Sequence, residues 1–84
     1  MNPSRQEIFG KVLQQIRREK GLSQEELGFE SGYHRTYISL LERGEKNPSL
    51  NAIFQISAAL NVSASEMLAL VEKQIKDAEI SENE

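Results

Sequence analysis

The sequence predicts an all-α fold, a compact five-helix bundle. Three observations carry that expectation: serine-led starts at regular intervals, glycines where the intervals close, and apolar residues spaced by three and four in between. Ser4-Arg5-Gln6-Glu7, Ser23-Gln24-Glu25-Glu26 and Ser63-Ala64-Ser65-Glu66 all have the form of a capping box. In each, the serine hydroxyl accepts from an amide three residues on and the glutamate reaches back. Pro48-Ser49 supplies a further start with Ser49 as the N-cap. Gly21, Gly32 and Gly44 stand where helices should end, and Asn61 serves the same purpose less comfortably.

These signals set helices at about 5–20, 24–31, 35–43, 50–60 and 64–76. In the first, Phe9, Leu13 and Ile16 share a face with Val12 beside them. Leu27 points inward from the second, Ile38 and Leu41 from the third, and Leu50, Ile53, Phe54 and Leu60 from the fourth. Phe29 turns away from Leu27 and is expected to be partly buried against the first or fourth helix. No stretch alternates with period two for long, so strands are not expected. Residues 1–77 form the expected domain, closed by its C-terminal helix, and residues 78–84 read as an acidic, disordered tail.

Eighty-four residues support one core. No apolar run approaches the roughly 20 residues of a bilayer span, and Met1-Asn2-Pro3-Ser4-Arg5 does not open a secretion signal. The absence of cysteine removes disulfides and thiolate zinc sites. The expected location is cytoplasmic, with no membrane partner. The net charge of −3 is unevenly spread: residues 1–48 carry +1 and residues 49–84 carry −4. The acidity therefore belongs to the C-terminal part, which leaves the N-terminal part free to face a polyanion.

The stretch from Gln24 to Arg43 makes three physical demands together. A small residue is needed where two helices cross closely, and Gly28 supplies it. A residue at ease with positive φ is needed in the turn, and Gly32 supplies it. Inward apolar residues are needed at fixed offsets, and Leu27, Tyr33, Ile38 and Leu41 supply them, with Ser31 a departure from the apolar norm. That pattern is a helix-turn-helix.

These residues resemble the Xre/Cro-like family of phage and bacterial regulators. The matching text is Arg17, Lys20-Gly21-Leu22-Ser23-Gln24-Glu25-Glu26-Leu27, Gly32 to Ser39, Leu41-Glu42-Arg43-Gly44 and Asn47-Pro48-Ser49-Leu50. Within the family, the run His34-Arg35-Thr36-Tyr37-Ile38-Ser39 is similar to the controller proteins of restriction–modification systems. The resemblance implies a lambda-repressor-like DNA-binding domain with residues 35–43 as the recognition helix in the major groove. Arg35 is then the leading base reader, its guanidinium fork matched to O6 and N7 of guanine. Thr36 offers a hydroxyl or a methyl, and Ser39, one turn later, reaches a base or phosphate. Gln24, which opens the second helix, is implied to contact phosphate with the support of the helix dipole, with Tyr37, Arg43 and Asn47 as backbone clamps. His34 either caps the recognition helix or approaches phosphate; as the only histidine it does not make a metal site. Arg17 and Glu42 are implied to pair and tie the first helix to the third. Leu40 is unusual for the family and either meets a thymine methyl or stays exposed.

Met67, Leu68, Leu70, Val71 and Ile75 give the last helix a wider apolar face than one small core requires. Self-association would cover it. A two-fold homodimer would set two recognition helices roughly 34 Å apart, on a pseudo-palindromic operator in double-stranded DNA. The leading expectation is thus a sequence-specific transcriptional regulator, with RNA polymerase as a further partner. An antitoxin or protein-interaction module on the same fold is the alternative. No nucleophile triad, phosphate loop or carboxylate pair points to an enzyme, and no cofactor is expected.

Overall fold

The computed structural model describes residues 2–83. It contains five helices: α1 (Arg5–Glu19), α2 (Gln24–Ser31), α3 (Arg35–Glu42), α4 (Leu50–Ala59) and α5 (Ala64–Asn83). No strand occurs among the described residues. Each start follows the local chemistry. Ser4, Ser23 and Ser63 accept from the amides of Glu7, Glu26 and Glu66, and each glutamate accepts in return from the amide of its serine. Ser49 caps α4 by accepting from the amide of Ala52.

α1 packs on α3 and α5, α2 on α3 and α4, and α4 on α5. One core lies among them, built from Ile8, Phe9, Val12, Leu13 and Ile16 of α1, Leu27, Ile38 and Leu41 of the middle pair, and Ala52, Ile56, Leu60, Met67 and Val71 beyond. No single helix among the described residues is long and apolar enough to cross a membrane.

Three expectations change. In α4, Leu50 and Phe54 face outward, 71% and 57% exposed, while Ala52, Ile56 and Leu60 take the inward ridge. That helix is apolar nearly all round, so spacing could not choose its buried side. Two residues turn a helix by roughly 200°, which sets Leu50 and Phe54 opposite Ala52. Phe29 is not partly buried but 88% exposed, beside Glu25, Glu26 and Glu30. The short α2 fills its inward stripe with Leu27, Gly28 and Ser31, leaving Phe29 across the helix. Finally, α5 does not stop near 76 but continues to Asn83, taking in most of the segment read as a disordered tail; Glu84 lies outside the described residues. Glu72 stands one turn before Lys76 and Lys73 one turn before Asp77, spacings that support a solvated helix as well as acidic composition supports disorder.

Candidate nucleic-acid interface

The turn between α2 and α3 rests on one carbonyl. Gly28 O accepts from the amides of Gly32 at 2.9 Å and Tyr33 at 2.8 Å, and from the buried hydroxyl of Ser31 at 3.3 Å. The hydroxyl at the usually apolar position 31 is thereby satisfied. A Cβ on Gly28 would stand 2.5 Å from the carbonyl oxygen of Tyr33 and 3.1 Å from the amide of Arg35, so the chain after the turn passes where a side chain would be. Gly32 differs. Nothing surrounds its missing Cβ, but its φ of 85° is the left-handed conformation that ends α2. One glycine supplies space and the other supplies a dihedral.

His34 caps α3: its Nδ1 accepts from the amide of Thr36 at 3.0 Å. The neutral imidazole consequently carries its proton on Nε2, the nitrogen left to donate outward. Beyond this cap, Arg35 and Thr36 are exposed and Ser39 is half-buried. Together with Gln24 and Arg43 they line one concavity. The structure thus gathers five of the eight residues singled out from the sequence. Tyr37 sits beside this group, its ring stacked on Tyr33 with centroids 4.8 Å apart and with Lys46 Nζ 5.8 Å from its centroid. Asn47 lines a separate groove with Arg5, Gln6 and Phe9. Leu40 is half-buried.

Arg43 pairs with Glu45 at 2.8 Å, both side chains 56% exposed. Such a pair is worth about 0–1 kcal/mol, a small barrier to exchanging one anion for another. The pair beneath α3 is of another kind. Arg17 donates through Nε to Glu42 Oε2 at 2.6 Å and through a terminal nitrogen to Oε1 at 3.0 Å. Its other terminal nitrogen reaches the carbonyl of Leu22 at 2.7 Å. Hydrogen bonding to Glu42 holds the guanidinium pKa above its ordinary value. Gln14 and Gln24 also donate to Glu42 Oε1, at 3.3 and 3.0 Å. One buried carboxylate therefore joins α1, α2 and α3, and fixes the direction in which α3 presents Arg35.

Sequence reasoning missed two parts of this support. Gly10 lets α1 touch α3: a Cβ there would collide with the carbonyls of Leu41 and Glu42. A glycine inside a helical run carries no sign of what crosses it. Gln24, expected at a phosphate, also donates to Glu42, a bond that the sequence did not reveal.

The helix-turn-helix family profile matches residues 13–67, the span that contains the glycine-set turn, the exposed Arg35 and the buried pair. The chain belongs to the Xre-like helix-turn-helix family. Its members are DNA-binding transcriptional regulators, and this chain is one of them. It is 50% identical to control protein C.BamHI of Bacillus amyloliquefaciens over 62 residues, covering 73% of this chain and 76% of that one. It is 40% identical to control protein C.MunI of Mycoplasma sp over 67 residues, covering 79% and 90%. Among solved structures, the restriction–modification controller protein C.AhdI of Aeromonas hydrophila superposes with a TM-score of 0.72 at 42% identity, covering 74% of this chain and 94% of that one. The chain is thus similar to restriction–modification controller proteins in both sequence and structure.

Proposed function

We propose that this regulator binds a pseudo-palindromic operator as a homodimer and acts as the controller protein of a restriction–modification system, in the cytoplasm. The observation that carries the reading is the exposure of Arg35 and Thr36 at the capped start of α3, in one concavity with Gln24, Ser39 and Arg43. Arg35 and Thr36 read base edges in the major groove, and Ser39 meets a base or phosphate one turn on. Gln24, the Nε2 of His34, Tyr37, Arg43 and Asn47 hold the phosphate backbone and set register without reading sequence. The similarity to C.BamHI and C.AhdI supports the controller assignment. Contact with RNA polymerase belongs to the same reading.

Dimerisation is supported by the apolar surface that the fold leaves uncovered on its C-terminal helices: Leu50 and Phe54 on α4, Leu68 and Leu70 on α5. It also makes up for the slight positive charge of residues 1–48, since two linked half-sites bind as one ligand. Titration of the protein against its own upstream DNA and against random duplex, at two salt concentrations, tests the proposal. The upstream site should win by roughly a thousandfold or more. Equal affinity for the two would end it.

A further inference from the structure

Gln24 is half-buried at the first position of α2, at the edge of the concavity that carries Arg35, Thr36, Ser39 and Arg43. Its Nε2 donates to Oε1 of Glu42 at 3.0 Å. A carboxylate only accepts, so Glu42 selects the nitrogen of the Gln24 amide over its oxygen. That nitrogen has two hydrogens, one used by Glu42 and one remaining. Glu42 is itself immobilised by two bonds from Arg17 and one from Gln14.

Phosphate oxygens also only accept. A glutamine amide free to flip would turn its own oxygen toward them part of the time. We infer that Glu42 is a positioning residue for DNA: without touching nucleic acid, it aims the second N–H of Gln24 at a backbone phosphate beside α3. This rests on the DNA-binding reading above. The helix end itself is poorly suited to the task. The first turn of α2 holds Glu25 and Glu26, and Glu26 is folded back onto the amide of Ser23, so carboxylates already answer the positive end of the helix. The side chain, and not the helix terminus, makes the contact.

A double-mutant cycle on Gln24→Ala and Glu42→Gln, measured with both the upstream and the random duplex, tests the inference. Gln24→Ala should weaken binding to both about tenfold, the worth of one hydrogen bond to a charged acceptor. The salt dependence should not change, because a neutral donor releases no counterion. Glu42→Gln should cost a similar factor, and the double variant no more than either single one. Losses that multiply, or a Gln24→Ala protein that binds like wild type, would overturn the inference while leaving the DNA-binding reading intact. A wild type without affinity for either duplex would remove both. Glu42→Gln also strands Arg17, so a measurement on the unaltered protein stands beside it. The side-chain amide of Gln24 should be as ordered as the backbone, and one of its two proton signals should shift when random duplex is added. An amide as mobile as that of the exposed Gln55, or one unmoved by bound DNA, would equally overturn it.

Discussion

Between α2 and α3 the backbones are set by a missing side chain, since a Cβ on Gly28 would stand 2.5 Å from the carbonyl oxygen of Tyr33. Between α1 and α3 they are set by another missing side chain, at Gly10, and by the buried Arg17–Glu42 pair. Among the described residues nothing comparable joins α4 to α5. There the core is Ala52, Ile56, Leu60, Met67 and Val71, apolar groups that would accept a range of helix angles, and Leu50, Phe54 and Leu70 remain outside it. The difference follows from what each region must do. On the proposed reading, aiming Arg35 into a groove needs a fixed crossing, which close backbone contact and directional hydrogen bonds provide. Closing a core needs only burial, which is not directional. Phe29 on α2 aside, surplus apolar surface then accumulates where no aim is required.

The largest test of that contrast is a pair of bulky substitutions. Gly28→Leu should prevent folding or cost more than about 3 kcal/mol, because the neighbour that must move is backbone. Ala58→Leu, on the exposed side of α4, should stay within about 0.5 kcal/mol of wild type. Urea denaturation of both proteins reads the difference. Similar midpoints would mean that the α2–α3 crossing is as tolerant as the C-terminal helices.

Next in size is the buried pair. Arg17→Met leaves Glu42 charged and buried with only glutamine donors, and should cost about 3–5 kcal/mol. Adding Glu42→Leu should recover much of that stability, since an apolar pair of similar volume replaces both charges. Recovery of folding without recovery of operator affinity would separate stability from aim, because the double variant also takes the acceptor from Gln24. A double variant no more stable than Arg17→Met would show that the pair does more than offset its own desolvation.

Legibility in the sequence divides along the same line. The boundaries of α1 to α4 were readable to within about a residue because their causes are local: a capping serine, with a glutamate three residues on in α1 and α2, and a glycine or asparagine entering the left-handed region. Gly28 and Gly32 were readable because a helix-turn-helix makes both demands within a few residues. The buried face of α4 was not, since Leu50, Ile53, Phe54 and Ile56 offer apolar groups on several sides and only tertiary contact chooses among them. Gly10 and the bond from Gln24 to Glu42 were hidden for a related reason. Each depends on a partner more than fifteen residues away, about which local spacing says nothing.

A smaller effect on stability is expected from the uncovered apolar surface. Leu50→Ser with Phe54→Ser removes two exposed side chains from α4, so the folding of the single chain should change by less than about 0.5 kcal/mol. If the proposed dimer uses this face, sedimentation should nevertheless report a shift toward the 9.5 kDa monomer, and operator binding should weaken steeply at low protein concentration. An unchanged dimer would move the interface away from α4.

The smallest expected effect is one the two regions share. Glu7, Glu26 and Glu66 each accept from the backbone amide of a capping serine, and this bond, with the contact to the serine hydroxyl, lowers each carboxyl pKa below its ordinary 4.5. A carboxylate with a depressed folded pKa stabilises the fold above its unfolded value. That contribution disappears as pH falls from about 4.5 through the lower folded pKa. Stability should therefore decline with acid in that window, and replacing all three by glutamine should flatten the decline, because glutamine still reaches back to the serine amide but does not titrate. The single variants sharpen the comparison. Glu66 is further lowered by the charge of Lys20, across from α5 on the end of α1, and Glu7 by Lys11 on its own helix. Added salt should narrow the gap between wild type and variant at both sites, and hardly at all at Glu26, whose pKa owes nothing to a neighbouring charge. Equal salt sensitivity at all three would assign the shifts to long-range charge and not to the caps.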